Sequence, residues 1–283
     1  MQQTSSYGVV YSDLTWVEVK DAISRDALIV IPTGSVEPHG FHLPLEVDSV
    51  TSRRISQMAA LEATPRAEVF VTDPIWMGAS YVTPAMPGAL SLKRTTYITV
   101  LKELCECLIK SGFKRLCLLN GHGGNWELNQ IVARDLSELY PVLVGVANYW
   151  ELVRKRLLEV RTSSLGTMGH AGEMETSLMM ALEPSKVRTE KRAIQIPNLD
   201  RRYYAVDMLD VGCAALYCSL PIAEGKRGED KAETGKAPLE PKPGIWGDAT
   251  LATPELGRRY LSIIVEEVAG YFIHLYEHRR ELD

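Results

Sequence analysis

An apolar run, Ala27 to Ile31, stops at Pro32 and Gly34 and hands the chain to GSVEPHGFHLPLEVD over residues 34–48. The run reads as a buried strand, and the glycines and prolines after it fix the backbone of a loop that holds Glu37, His39, His42 and Asp48. Imidazole and carboxylate groups at this density are the donors that bind Zn²⁺ or Mn²⁺. In an extended loop, residues two apart point the same way, so Glu37 and His39 can face one cavity. A polar surface turn is the alternative on these residues alone. Asp48 carries an alternative of its own, as the N-cap of a helix through Ser52 to Ala60.

Three more apolar runs repeat the pattern: Val69–Thr72, Arg115–Leu119 and Val142–Trp150. Helical spacing of apolar residues predicts helices over Leu14–Ser24, Thr95–Ser111 and Trp126–Leu139, and a final one from Pro254 to about Glu277. Gly- and Pro-spaced residues from Pro74 through Ser80 to Gly88 read as a loop bordering a pocket. The third strand runs straight into NGHGGN at 120–125 and then a helix, the layout of a phosphate loop. No Walker lysine and no GxGxxG accompany it, and His122 stands at its centre among glycines, better placed to reach a metal than to cradle a phosphate.

GHAGEMETS, residues 169–177, opens another helix near Ala171 or Gly172. Extending that helix back, His170 and Glu173 share a side, whereas Glu175 lies about 200° round from Glu173 at roughly 100° per residue. Glu173 is therefore expected at the site, with Glu175 at the helix dipole or bonded to backbone. Met179 and Met180 read as core. His274 and His278, four apart on the last helix, read as a wet cationic face. Four of the six histidines, His39, His42, His122 and His170, thus fall in Gly-flanked loops at strand or helix ends. In an open parallel α/β sheet the carboxyl ends of the strands share one edge, so these loops converge.

Composition narrows the classes. The chain has 283 residues, 46% hydrophobic and 24% charged, with net charge −5 and no dense Lys/Arg block, which excludes nucleic acid as the expected partner. No apolar run reaches the roughly 18 residues of a membrane span. The polar N-terminus, Met1 to Asp13, lacks a signal-peptide core. Cys105, Cys107, Cys117, Cys213 and Cys218 are an odd set within mostly apolar stretches, expected as buried free thiols of a cytoplasmic protein.

The motifs GSVEPHGFHLPLEVD, PGALSL, NGHGGN, HAGEMETS and GIWGDATLATPELG run in order over about residues 14–270, and together they resemble the creatininase (creatinine amidohydrolase) family. The resemblance implies one α/β/α sandwich domain around a mainly parallel sheet, spanning 1–283 with an irregular insertion at about 201–243, in a homo-oligomer that is often a hexamer. It implies two divalent metals, Zn²⁺ first, with Mn²⁺ or Fe²⁺ also accepted by such ligands. Glu37, Asp48 and His122 would hold one metal, and His39 and Asp48 the other. In creatininase proper a carboxylate two residues after the NGH histidine completes the second site. Here Gly124 stands there, and Glu173 is the expected replacement.

The implied reaction is hydrolysis of a cyclic amide or related small carbonyl substrate by a metal-bridging hydroxide, with His170 and Glu173 as catalytic groups and His170 as proton shuttle. His42 is expected to orient a ligand, and Ser80, Trp150 and Asn120 to bind substrate or support ligands. Thr83 stands where many relatives have histidine, and Arg161–Met168 lacks the tryptophan that is one of the aromatic lid residues of creatininase proper, with Trp150 the candidate for the other. Both departures point away from creatinine itself. The family also includes a deformylase and a hydrolase of cyclic keto-sugars, which are the alternatives, and a non-catalytic binding module is the remaining one.

Overall fold

The computed structural model describes residues 8–80, 86–196, 198, 200, 202, 205, 207–210 and 244–278. Four parallel strands, β1 (Leu28–Thr33), β2 (Val69–Val71), β3 (Arg115–Asn120) and β4 (Leu143–Asn148), lie in the order β2-β1-β3-β4. β1 and β3 pair from Leu28 opposite Arg115 to Thr33 opposite Asn120, and β3 and β4 from Arg115 opposite Leu143 to Asn120 opposite Asn148. All carboxyl ends therefore meet one edge, as the four apolar runs predicted.

Strand periodicity of two sorts the core into the two layers of a sandwich. Leu28, Val30, Cys117 and Leu119 face α2 (Val47–Ala63), α7 (Glu173–Leu182) and α8 (Pro254–Glu277). Ile29, Ile31, Leu116 and Leu118 face α1 (Trp16–Ser24), α3 (Arg94–Ser111) and α4 (Trp126–Leu139). Each fully buried aliphatic side chain contributes about 1.5–3 kcal/mol, so the strands anchor the sheet edge from both faces. Thr15 closes the start of α1 with a capping box to Glu18.

The fourth apolar run is shorter as a strand than its hydrophobicity predicts. β4 ends at Asn148, and Tyr149 and Trp150 begin the short α5 (Tyr149–Leu152), followed by α6 (Arg154–Val160). Their rings are buried against the core rather than in a strand. A two-stranded antiparallel pair, β5 (Ile194–Gln195) and β6 (Gly247–Asp248), joins distant segments beside the site. Cys105 and Cys117 are buried free thiols, whereas Cys107 is exposed on the outer face of α3, against expectation. Cys213, Cys218, Thr83 and most of the 201–243 segment lie outside the described residues. Among the described residues no helix is long and apolar enough to cross a membrane.

Candidate metal centre

Asp48 lies in the first turn of α2, where the helix end favours a carboxylate. It is not the cap: Glu46 holds that position, and no side chain caps the helix. Asp48 instead reaches two histidines at once. Its Oδ1 is 3.0 Å from His39 Nε2, and its Oδ2 is 2.9 Å from His122 Nδ1. Glu37 Oε1 stands 3.3 Å from the same His122 nitrogen, and Glu175 Oε2 is 3.8 Å from His39 Nε2. Among the described residues three groups could hold an ion, Glu37–His39–His170, Glu37–Asp48–His122 and His39–Asp48–Glu175, and the last two share the Asp48 carboxylate.

Local sequence explains the convergence. Gly121 lets the NGHG turn lie on α2, for a Cβ there would sit 2.6 Å from the Asp48 carbonyl. Asn120 holds that turn from beneath, donating to the His122 carbonyl and to Asn148 Oδ1 and accepting from the His122 amide. Gly124 is closed to any side chain, since a Cβ would meet the Ala79 carbonyl and His122 Nε2 at 2.6 Å. No carboxylate can enter from that position, so the His39–Asp48 set takes its further carboxylate from α7.

That carboxylate is Glu175, which corrects the expectation for Glu173. Glu173 turns to the core, accepting from Thr167 Oγ1 and from the Tyr260 hydroxyl of α8. The expectation extended the helix back to His170, but α7 begins at Glu173, and Ala171 before it has φ +53°. A left-handed residue breaks the helical phase, so His170 shares no helix face with Glu173. The Ala171 amide then donates to Glu175 Oε2 at 2.5 Å and sets its angle.

The electrostatics describe a site built for cations. Burial opposes charge on His39, but the Asp48 carboxylate beside it overcomes this and pushes its pKa up to about 10. Burial likewise works against the His122 imidazolium, and Asp48 and Glu37 raise it well above the usual range. Burial would raise Asp48, yet the two histidines hold it well below ordinary carboxylates. Glu37 is lowered as well, His122 outweighing burial. Glu175 is raised, because burial exceeds the relief from His39 and His170. Its pocket lacks enough positive charge.

A metal fits these residues. His39 Nδ1 faces the Glu37 carbonyl at 3.0 Å, which assigns the hydrogen to Nδ1 and leaves Nε2 as the donor atom. His39 Nε2 and Asp48 Oδ2 are buried with no aligned hydrogen-bond partner, a costly state that a shared cation removes. Carbonyl-fixed imidazoles and carboxylates are the ligands of Zn²⁺, Mn²⁺ and Fe²⁺.

The remaining predicted residues surround this core. His170 Nε2 faces the Pro38 carbonyl at 2.9 Å, its Nδ1 lies 3.6 Å from Glu37 Oε1, and its ring stacks tilted on His39. His42 is buried behind the site with Nε2 2.8 Å from Thr176 Oγ1, and burial, then His39 and Arg192, push its pKa down to about 4. Ser80 hydrogen-bonds Ser35 and lies 3.5 Å from His122 Nε2. A cavity of about 520 Å³ opens over Glu37, Asp48, His122, His170 and Glu175. Trp150 and Trp246 line it with Met86, Met208 and Asp207. His274, in the last turn of α8, and His278, which caps that helix, have rings 5.7 Å apart and join no ligand group among the described residues.

Trp246 is a wall residue of the cavity that the motifs of the chain do not single out. Its amide donates to the His170 carbonyl at 2.7 Å, so the turn is tied to the site by backbone, which no side-chain pattern announces.

The model of the family described as creatinine amidohydrolase matches residues 12–272. The chain belongs to the creatininase family. It is a creatininase-family hydrolase, 27% identical over 191 residues to a 3-dehydro-scyllo-inosose hydrolase of Thermotoga maritima, a match covering 65% of this chain and 59% of that protein. A mycofactocin precursor peptide peptidase of Mycobacterium tuberculosis is 30% identical over 251 residues, 86% of this chain and 84% of the relative. A crystal structure of a creatinine amidohydrolase superposes with TM-score 0.74 at 25% identity, covering 97% of this chain and all of that one, and the α/β/α architecture is shared.

Proposed function

We propose that the chain is a dinuclear metal-dependent hydrolase that cleaves a C–N bond in a cyclic amide or related small carbonyl substrate. The observation that carries this reading is Asp48, whose two oxygens each face a different histidine within a different ligand set. Glu37, Asp48 and His122 would hold one ion, and His39, Asp48 and Glu175 the other. Bound divalent cations supply Lewis-acid polarisation of a carbonyl and acidify water near neutral pH.

The protein's own residues account for the rest. His170 Nε2–H is committed to the Pro38 carbonyl, so Nδ1 is the atom that exchanges a proton with the leaving nitrogen. Trp150, Trp246, Met86 and Met208 present apolar faces above a polar floor, which suits a small flat substrate with its carbonyl edge down. As in the family at large, we infer assembly into a homo-oligomer, which light scattering in solution checks.

The ring-opening of a cyclic keto-sugar is the second reading, favoured by the Thermotoga relative's name. Two measurements test the proposal. Elemental analysis should find about two divalent ions per chain, and none would overturn it. A hydrolysis screen over cyclic amides, formamides, cyclic keto-sugars and short peptides should return turnover on the first class. Turnover on keto-sugars alone would move the assignment to the second reading.

A further inference from the structure

His42 takes no part in either ligand set, yet it is fully buried directly behind them. Its Nε2 is 2.8 Å from Thr176 Oγ1, and Thr176 Oγ1 is 3.2 Å from the Ala171 carbonyl, to which it donates. The threonine has one hydrogen, and the carbonyl can only accept. Both contacts therefore exist together only if His42 Nε2 carries a hydrogen and donates to the threonine. From the other end, the Ala171 amide donates to Glu175 Oε2.

Ala171 is thus gripped at its carbonyl and at its amide. It is also one of two described non-glycine residues with positive φ, at +53°. It lies inside a turn closed by the Gly172 amide on the Gly169 carbonyl, where a left-handed residue is ordinarily glycine. That left-handed step is what allows His170 and Glu175 to face one cavity from either side of it.

We propose that His42 and Thr176 are positioning residues which clamp Ala171 in its left-handed conformation and thereby aim Glu175 and His170. Neither touches the cavity. Their effect runs through one backbone position, so the consequence is local to the His39–Asp48–Glu175 set and leaves Glu37–Asp48–His122 alone. The metal-binding consequence rests on the function proposed above, whereas the clamp itself does not.

The test uses Thr176→Val, which keeps the shape and removes the hydroxyl, with Thr176→Ser as the control that keeps it. In the metal-free protein, exchange of the Ala171 amide should speed up by about tenfold or more in Thr176→Val and stay unchanged in Thr176→Ser. On titration with Zn²⁺ against a competing chelator, one of two equivalents should bind about 10- to 100-fold more weakly in Thr176→Val, the usual cost of removing a group behind a ligand. Adding Ala171→Gly should restore most of that affinity, because glycine adopts the conformation without a clamp. If Thr176→Val fails to fold, His42→Leu breaks the same relay from its other end.

Unchanged Ala171 exchange in the variant overturns the clamp. So does a weakened site that Ala171→Gly does not recover, since the effect would then run by another route. Altered exchange in a protein that binds no Zn²⁺ in any form upholds the clamp and overturns the dinuclear function instead.

Discussion

Glu173 Oε1 accepts the hydroxyl of Tyr260 at 2.9 Å, joining α7 to α8 inside the core. Its other oxygen accepts from Thr167, whose carbonyl in turn receives the amides of Glu173 and Asp248. Glu173 is therefore a brace between the last helix and the loop that carries His170, while Glu175 of the same helix faces His39.

The two glutamates should separate cleanly on substitution. Glu173→Gln should cost about 1–3 kcal/mol, the usual range when a buried hydrogen-bonded group loses its match, and leave metal content intact. For a chain of this size that is a fall in melting temperature of very roughly 2–10 °C. Glu175→Gln should lower metal content to about one equivalent. Thermal unfolding and elemental analysis on the same preparations decide it, and the opposite pairing of effects would return Glu173 to the site.

Asp48→Asn tests the shared ligand. An amide offers one oxygen where the carboxylate offers two, so at least one ion should be lost and turnover abolished. A variant with both metals and full activity would reduce Asp48 to a first-turn helix residue with no bridging role.

Metal loading should depend on pH with a definite sign. His39, with its pKa near 10, and His122, also raised, carry protons in the metal-free protein at pH 7. A metal binds only the neutral imidazole, so loading must expel those protons. Apparent affinity should rise with pH up to about 10, the value at which His39 ceases to compete. Calorimetric titration in two buffers of different ionisation enthalpy measures the release, and a net uptake of protons would contradict the arrangement.

Much of this was legible in the chain. Buried strands announce themselves by unbroken apolar runs, and glycine loops after them place Glu37, His39, Asp48 and His122 at one sheet edge. Glu175 was not legible, because helical phase can be extrapolated only through helical residues. Ala171 carries no mark of its positive φ in its own chemistry, and glycine would have given the turn away. Trp246 was hidden for another reason: a residue far along the chain joins the cavity through backbone hydrogen bonds and the β5–β6 pair, which periodicity does not encode.

Trp246 supplies the next expectation. It is 45% exposed at the rim of the cavity, with its backbone fixed to His170. Covering an aromatic face with substrate is worth on the order of 1–2 kcal/mol, or about tenfold in binding. Trp246→Ala should therefore raise KM about tenfold for the substrate the screen returns, with kcat little changed. An unchanged KM would remove Trp246 from substrate binding.

His170 separates ligand from proton carrier. It is about a third exposed on the cavity wall, near enough to Glu37 and His39 to join a ligand group, yet Asp48 unites the other two sets without it. Its Nε2–H is held by the Pro38 carbonyl, which fixes the ring and leaves Nδ1 facing the site. His170→Asn should keep both metals and lower kcat by roughly 10² to 10⁴, the usual worth of a general acid–base group. The loss should shrink on substrates with good leaving groups, which depart with little protonation. Steady-state kinetics across a leaving-group series, alongside metal analysis, carries the test. Metal lost from the variant would make His170 a ligand, and unchanged kinetics would remove it from the reaction.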